Sequence, residues 1–219
     1  MSLLEFARGP ALEFSIAVLL FGTAWRLVGI LLLRWRIDKS EPRSDAPSKA
    51  VGALRGVARH FWPHRAFWSA TAFQTLNSYV FHIGLAVVVL GFGPHIAFIR
   101  HLTGFGWPNL PTPLITFIAI LTVGSLFAAL TKRLTSPVLR LISTTDDYLT
   151  WVITIVPLVT GIAAAGHIGA RYETLLAIHI LSVAVFLIWL PFSKLAHAFL
   201  FVFSRGLTGA RLTRRGAKF

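Results

Sequence analysis

The chain has 219 residues, 55% hydrophobic and only 13% charged, with mean hydropathy +0.71. A soluble domain carries about a quarter charged residues, so this length goes into membrane spans rather than a water-solvated globule. The absence of cysteine excludes disulfides, iron–sulfur ligation and thiolate ligation of iron within the chain, and the net charge of +13, which in a soluble protein points to nucleic acid, is accounted for below by topology and not by a nucleic-acid partner.

A hydrocarbon core of about 30 Å needs about 20 apolar helical residues. Five stretches qualify, over residues 11–33, 71–99, 113–130, 148–165 and 174–203. The expected fold is therefore all-α: an integral membrane bundle of five transmembrane helices, forming a single membrane domain over residues 1–219. The first stretch has no small-residue cleavage pattern and reads as a retained helix. Residues 34–70 form a loop whose segment from Lys39 to Lys49 is rich in Ser, Pro and charge and reads as exposed. Val51, Leu54, Val57, Ala58 and Phe61 then recur at helical spacing, with Arg55 and Arg59 on the other side. That pattern predicts an amphipathic helix on the inner membrane surface, its basic face meeting either a cytoplasmic subunit or anionic lipid. The second and fifth stretches exceed a minimal span and are expected to tilt, kink or project. Residues 104–111, with Trp107, read as an ordered outer loop carrying an interfacial tryptophan.

Seventeen of the 21 basic residues fall in the first loop, the connection after the third span and the C-terminal tail. Arg8, Arg100 and Arg171 lie on the other side, and Arg26 lies inside the first span. Basic residues concentrate on the cytoplasmic side, which predicts the N-terminus outside, the C-terminus in the cytoplasm, and a multi-pass protein of a bacterial or archaeal-type inner membrane.

An ionisable residue inside a span is a functional candidate by default. Four of the eight histidines are so placed: His82 and His95 in the second span, His179 and His197 in the fifth. The two spans run in opposite directions, so His82 and His197 lie toward the cytoplasm, and His95 and His179 toward the outside. Two antiparallel helices with a histidine near each end make two stacked bis-histidine sites, and haem iron accepts imidazole on both faces. The competing assignment is four core histidines hydrogen-bonded between helices. His179 and His197 are 18 residues apart, about five turns, and share a face of a continuous helix. His82 and His95 are 13 apart and about 140° out of phase in an ideal helix; Gly93-Pro94 offers a break to re-aim the second. Gly84, Gly91 and Gly93 would let a flat macrocycle approach. His60 and His64 read as surface residues, His101 and His167 as interfacial residues or quinone contacts. Arg26 has no acidic partner in view and is assigned to a haem propionate, with snorkelling to the interface as the competing role.

Leu190-Pro-Phe-Ser-Lys-Leu-Ala-His197, with His179 18 positions earlier, resembles the last helix of the respiratory nitrate reductase gamma subunit family. Asn77-Ser-Tyr-Val-Phe-His-Ile-Gly-Leu85 is similar to that family's second-helix haem motif. Lys132-Arg-Leu-Thr-Ser-Pro-Val-Leu-Arg140, followed by Thr144-Thr-Asp-Asp, resembles its inner loop. The resemblance runs from about Trp25 to the tail, apart from the expanded first loop. It implies a cytochrome b membrane anchor with two haem b groups, exchanging electrons between quinone or quinol at an outer site and a cytoplasmic iron–sulfur subunit that serves a further catalytic subunit. By position, His82 and His197 would ligate the inner haem, and His179 with a second-helix partner the outer one. The family's second histidine follows its first by ten residues, where Phe92 stands here; His95 is assigned instead, with His101 or no residue at all as alternatives. The family's quinone-site lysine has no lysine counterpart, and Arg100 and His101 are the nearest substitutes. Other classes are a transporter, disfavoured because the acidic residues nearly all avoid span centres, and a structural anchor with one haem or none.

Overall fold

The computed structural model describes residues 1–33, 41–59 and 61–216. The segment 34–40, with part of the first loop's basic cluster, lies outside the described residues, as do His60 and residues 217–219. The described chain is helical and has no strand. Five helices are long and apolar enough to cross a membrane: Leu3–Leu31, Arg65–Gly91, Thr112–Thr135, Thr145–Gly166 and Tyr172–Phe192. The protein is a multi-pass, all-α membrane protein, as its hydropathy predicts.

In chain order, α1 (Leu3–Phe6) passes through a π-helical turn at Ala7–Ala11, around Pro10, into α2 (Leu12–Leu31). Then come α3 (Lys49–Arg59), α4 (Trp68–Gly91), α5 (Gly93–Thr103), α6 (Thr112–Thr135), α7 (Pro137–Ile142), α8 (Thr145–Gly166), α9 (Tyr172–Trp189) and α10 (His197–Arg214). The residues fall into two compact units: Met1–Ile16 with Phe73–Trp189, and Ala17–Ala72 with Leu190–Phe219.

In the first unit α8 packs on α9 and α6. Leu126, Ile155 and Leu158 form a buried cluster, flanked by Phe81, Leu85, Val123 and Trp151. Because lipid offers no hydrogen bonds, polar groups here are closed internally: Asn77 donates to the Ser125 carbonyl (3.0 Å) and the Trp151 indole to the Leu126 carbonyl (2.9 Å). The turn into α8 is fixed by a capping box between Thr144 and Asp147, and Asp147 also meets Arg133 at 3.5 Å.

In the second unit α3 packs on α10. The crossing is made by glycine: a Cβ on Gly56 would stand 2.6 Å from both the Arg205 carbonyl oxygen and the Gly209 Cα. Gly52-x-x-x-Gly56 is the small-residue spacing that lets two helices touch backbone to backbone. The predicted amphipathic helix is therefore present, but its packed face is the glycine face; Val51 and Leu54 are exposed.

Two boundaries differ from the hydropathy reading. The second span stops at Gly91, and Phe92 is extended (φ −79°, ψ 126°) before α5 starts. Pro94 has no N–H, so the Leu90 carbonyl loses its helical donor; the Trp107 indole N–H fills that place at 2.6 Å, and Leu110 N–H donates to the Gly91 carbonyl at 2.9 Å. The loop 104–111 is thus ordered because it closes the hydrogen bonds of a broken helix. The fifth apolar stretch ends as a regular helix at Trp189, passes through 3₁₀ turns at Leu190–Phe192 and Lys194–Ala196, and restarts at His197. His197 opens a new helix, so the five-turn spacing from His179 does not describe one continuous element. Pro191 ends the helix rather than kinking it.

Candidate functional site

The break at Phe92 decides where His95 points. Its Nδ1 reaches back over seven residues to donate to the Val88 carbonyl (3.2 Å), and Phe92 stands edge-on to its ring at 5.2 Å. The imidazole of His179, on α9, faces it: ring centroids are 6.1 Å apart and the planes are inclined by 21°. The predicted outer pair is thus brought together, and the 140° phase error of an unbroken helix is removed by the break.

His179 is held from the α8 side. Thr160 Oγ1 lies 3.3 Å from its Nδ1 and 3.0 Å from Ser182 Oγ, while Ser182 donates to the His179 carbonyl at 2.7 Å. A Cβ on Gly161 would sit 3.1 Å from His179 Cε1, so glycine at that position is what leaves room for the ring. Nothing in the sequence reading singled out Gly161, Thr160 or Ser182; the only available signal was a small-residue step in α8 facing an apolar helix. Of the three glycines expected to admit a macrocycle, two are packed on other side chains. Gly84 is buried against Thr122, and Gly91 against Leu110 and Ile115.

The remaining two histidines sit in different units. His82 donates from Nδ1 to the Ser78 carbonyl at 2.7 Å, and Phe81 stands edge-on to it. His197 donates from Nδ1 to the Lys194 carbonyl at 2.8 Å. In a neutral imidazole this tautomer leaves Nε2 as the lone-pair nitrogen, the arrangement in which a metal-binding histidine is oriented by its own backbone. His95 has the same tautomer by the same device.

Arg26 is exposed in a cleft of about 380 Å³ shared with Trp25, Gly29, Ile30, Leu33 and Leu200. Arg100 and His101 both lie exposed in the last turn of α5, ahead of the left-handed cap at Gly104, and the Arg100 stem covers Gly106. His167 caps α8 in the left-handed region (φ 55°) and stacks on Tyr172, which accounts for it structurally.

The chemistry of the outer pair can be tested by dimensions. Two imidazoles bonded to one metal from opposite faces at about 2 Å, with ring radii of about 1 Å, place their centres roughly 6 Å apart. The 6.1 Å separation of the His95 and His179 ring centres matches that. A porphyrin brings four nitrogens of its own and asks for one or two axial imidazoles. By ring-centre distance and ligand count, His95 and His179 fit the two axial positions of an iron porphyrin.

The chain is similar to a protein of Nitratidesulfovibrio vulgaris, 30% identical over 206 residues that span 93% of this chain and 91% of that one. The chain belongs to that protein's family. Its printed name, "Protein", assigns no activity. No family model and no solved structure matches the chain.

Proposed function

We propose that this chain is a dihaem b-type cytochrome subunit that passes electrons between the quinone/quinol pool and an iron–sulfur subunit of a membrane oxidoreductase complex, in the manner of the respiratory nitrate reductase gamma family it resembles. The observation that carries the proposal is the His95–His179 pair: two imidazoles from separate apolar helices, parallel and 6.1 Å apart. His95 and His179 would hold the outer haem, and His82 and His197 the inner one. When bound, the two haems supply one-electron redox chemistry.

The chain's own residues do the rest. Backbone carbonyls of Val88, Ser78 and Lys194 hold the Nδ1 protons of His95, His82 and His197, keeping Nε2 basic. Thr160 and Gly161 set the position of His179. The surrounding apolar helices exclude water and keep the local dielectric low. Arg26 would pair with a haem propionate. Arg100 and His101 supply a hydrogen-bond donor and a proton path for a quinone oxygen. The basic-residue asymmetry supports an outside N-terminus and a cytoplasmic C-terminus facing the iron–sulfur partner.

The test is a reduced-minus-oxidised spectrum of the purified chain with haem quantified per chain. Two haems are expected. His82→Ala and His197→Ala should each remove the same haem, and together remove no more. One haem in the wild type would reduce the chain to a structural anchor with a residual cofactor, and a colourless protein expressed with ample haem would overturn the proposal.

A further inference from the structure

The second unit contains a cleft that the electron-transfer role does not use. It measures about 680 Å³ and lies between the chain before α3, the outer side of α3 and the end of α10, with Arg43, Arg55, Arg59, Trp62 and Thr213 on its walls. Three guanidinium groups line it against one carboxylate, Asp45, which Arg43 holds at 2.6 Å. Arg55 and Arg59 make no ion pair or hydrogen bond among the described residues. Thr213 is buried, at 7% exposure, and its hydroxyl has no partner among the described residues. Other helical threonines here behave differently: Thr122, Thr154 and Thr208 each donate to the carbonyl four residues earlier at 2.7–2.8 Å. A buried hydroxyl left open costs free energy unless something meets it.

The surroundings say what that is. Val51 and Leu54 are exposed on α3, and Phe61 and Trp62 are exposed just beyond it. Trp62 stacks on Trp68 with centroids 5.5 Å apart, an aromatic pair of the kind that sits at the headgroup level of a bilayer. A ligand here meets the arginine cations with Thr213 on the wall beside them, and the exposed apolar side chains of Val51 and Leu54 lie on the neighbouring face of α3. We propose that this cleft binds the phosphate headgroup of an anionic phospholipid, with Arg55 and Arg59 on the phosphate oxygens, the Thr213 side chain turning its hydroxyl outward to donate to one of them, and the acyl chains leaving over Trp62 and the exposed Val51 and Leu54 beside the cleft. Guanidinium forks match phosphate geometry, and the glycine crossing of α3 on α10 is what brings Thr213 beside Arg55 and Arg59. This binding site is independent of the haem assignment.

The full-length chain in detergent is titrated with phosphatidylglycerol and, separately, with phosphatidylcholine, and bound lipid is counted by native mass spectrometry. Wild type should retain phosphatidylglycerol and not phosphatidylcholine. Arg55→Gln/Arg59→Gln should weaken retention about thirtyfold, taking the usual worth of two basic residues near a lipid surface. Thr213→Val should weaken it by less, and Arg55→Lys/Arg59→Lys, which keeps the charge and disturbs the fold least, should fall between wild type and the double glutamine variant. Inorganic phosphate at millimolar concentration should not displace the lipid. Equal retention by all variants, equal binding of phosphatidylcholine, displacement by inorganic phosphate, or preferential binding of a polyglutamate peptide would each overturn the proposal, the last in favour of an acidic protein segment.

Discussion

Glycine permits close approach in both units of this protein, with opposite results for the polar groups nearby. In the first unit Gly84 lets α4 close on Thr122 of α6, and Gly161 seats the His179 ring. Around them the Asn77, Trp107 and Trp151 side chains each donate to a backbone carbonyl, and the one Trp107 meets, that of Leu90, would otherwise be left open by the helix break. In the second unit Gly52, Gly56 and Gly209 bring α3 onto α10, and what surrounds that crossing is a buried hydroxyl without a partner and two arginines without counter-ions among the described residues. A dry membrane interior must satisfy itself; a basic cleft bordered by exposed apolar side chains can leave groups to be satisfied by a ligand from outside. The first arrangement preorganises two imidazoles, and the second preorganises an anion site.

The contrast can be broken most sharply at the imidazoles. His179→Ala and His95→Ala should each lower haem content from two per chain to one, and the double variant should go no lower; a pyridine haemochrome assay reads this directly. If His95→Ala leaves both haems in place, His101 or another group completes the outer site.

The glycine crossing comes next. Gly56→Val drives a side chain into the Arg205 carbonyl and the Gly209 backbone, neither of which can move as a side chain tip can. Overpacking of this kind costs about 1–3 kcal/mol. The thermal midpoint of the purified chain should fall, and so should phosphatidylglycerol retention, with the His95–His179 haem spectrum unchanged. A loss of that haem instead would show that the two units are not independent.

A smaller and more local effect is expected at the helix break. Trp107→Phe keeps the aromatic ring and deletes the donor to the Leu90 carbonyl, leaving a carbonyl open at a cost of about 1–3 kcal/mol. Occupancy of the outer haem should drop while that of the inner haem holds. Equal loss of both haems would mean that Trp107 supports the bundle generally rather than the aim of His95.

Arg26→Leu should have the smallest effect, a lowered midpoint potential or partial loss of one haem in a redox titration. An unchanged titration would assign Arg26 to the membrane interface, where its long stem can carry the charge outward.

What could be read from the chain alone was whatever depends on composition along a single element. The five spans, the amphipathic pattern around Arg55 and the placement of His82 and His179 inside spans follow from hydropathy, helical period and the cost of an ionisable group in lipid, and those terms are local; His95 and His197, also expected inside spans, lie in helices that start after the second and fifth spans end. The resemblance of the motifs around His82 and His197 supplied the cofactor hypothesis in the same way. The position of the break did not follow: Gly93-Pro94 marked it to within a residue, yet the reason it holds is a tryptophan thirteen residues further on closing the Leu90 carbonyl. The end of the fifth helix at Trp189 was hidden because its apolar run continues past Pro191, and hydropathy cannot distinguish one long helix from two.

Sequence by itself determined that this is a five-span helical membrane protein with His82 and His179 inside spans, because apolar length and the rarity of buried imidazole are properties of the chain. Only the tertiary structure decided that His95 faces His179 at 6.1 Å, that Gly161 makes room for the ring, and that Thr213 is left open beside Arg55 and Arg59. Each of those depends on which helix face meets which, and that is set by where small residues allow two backbones to approach and where a distant donor closes a broken hydrogen bond.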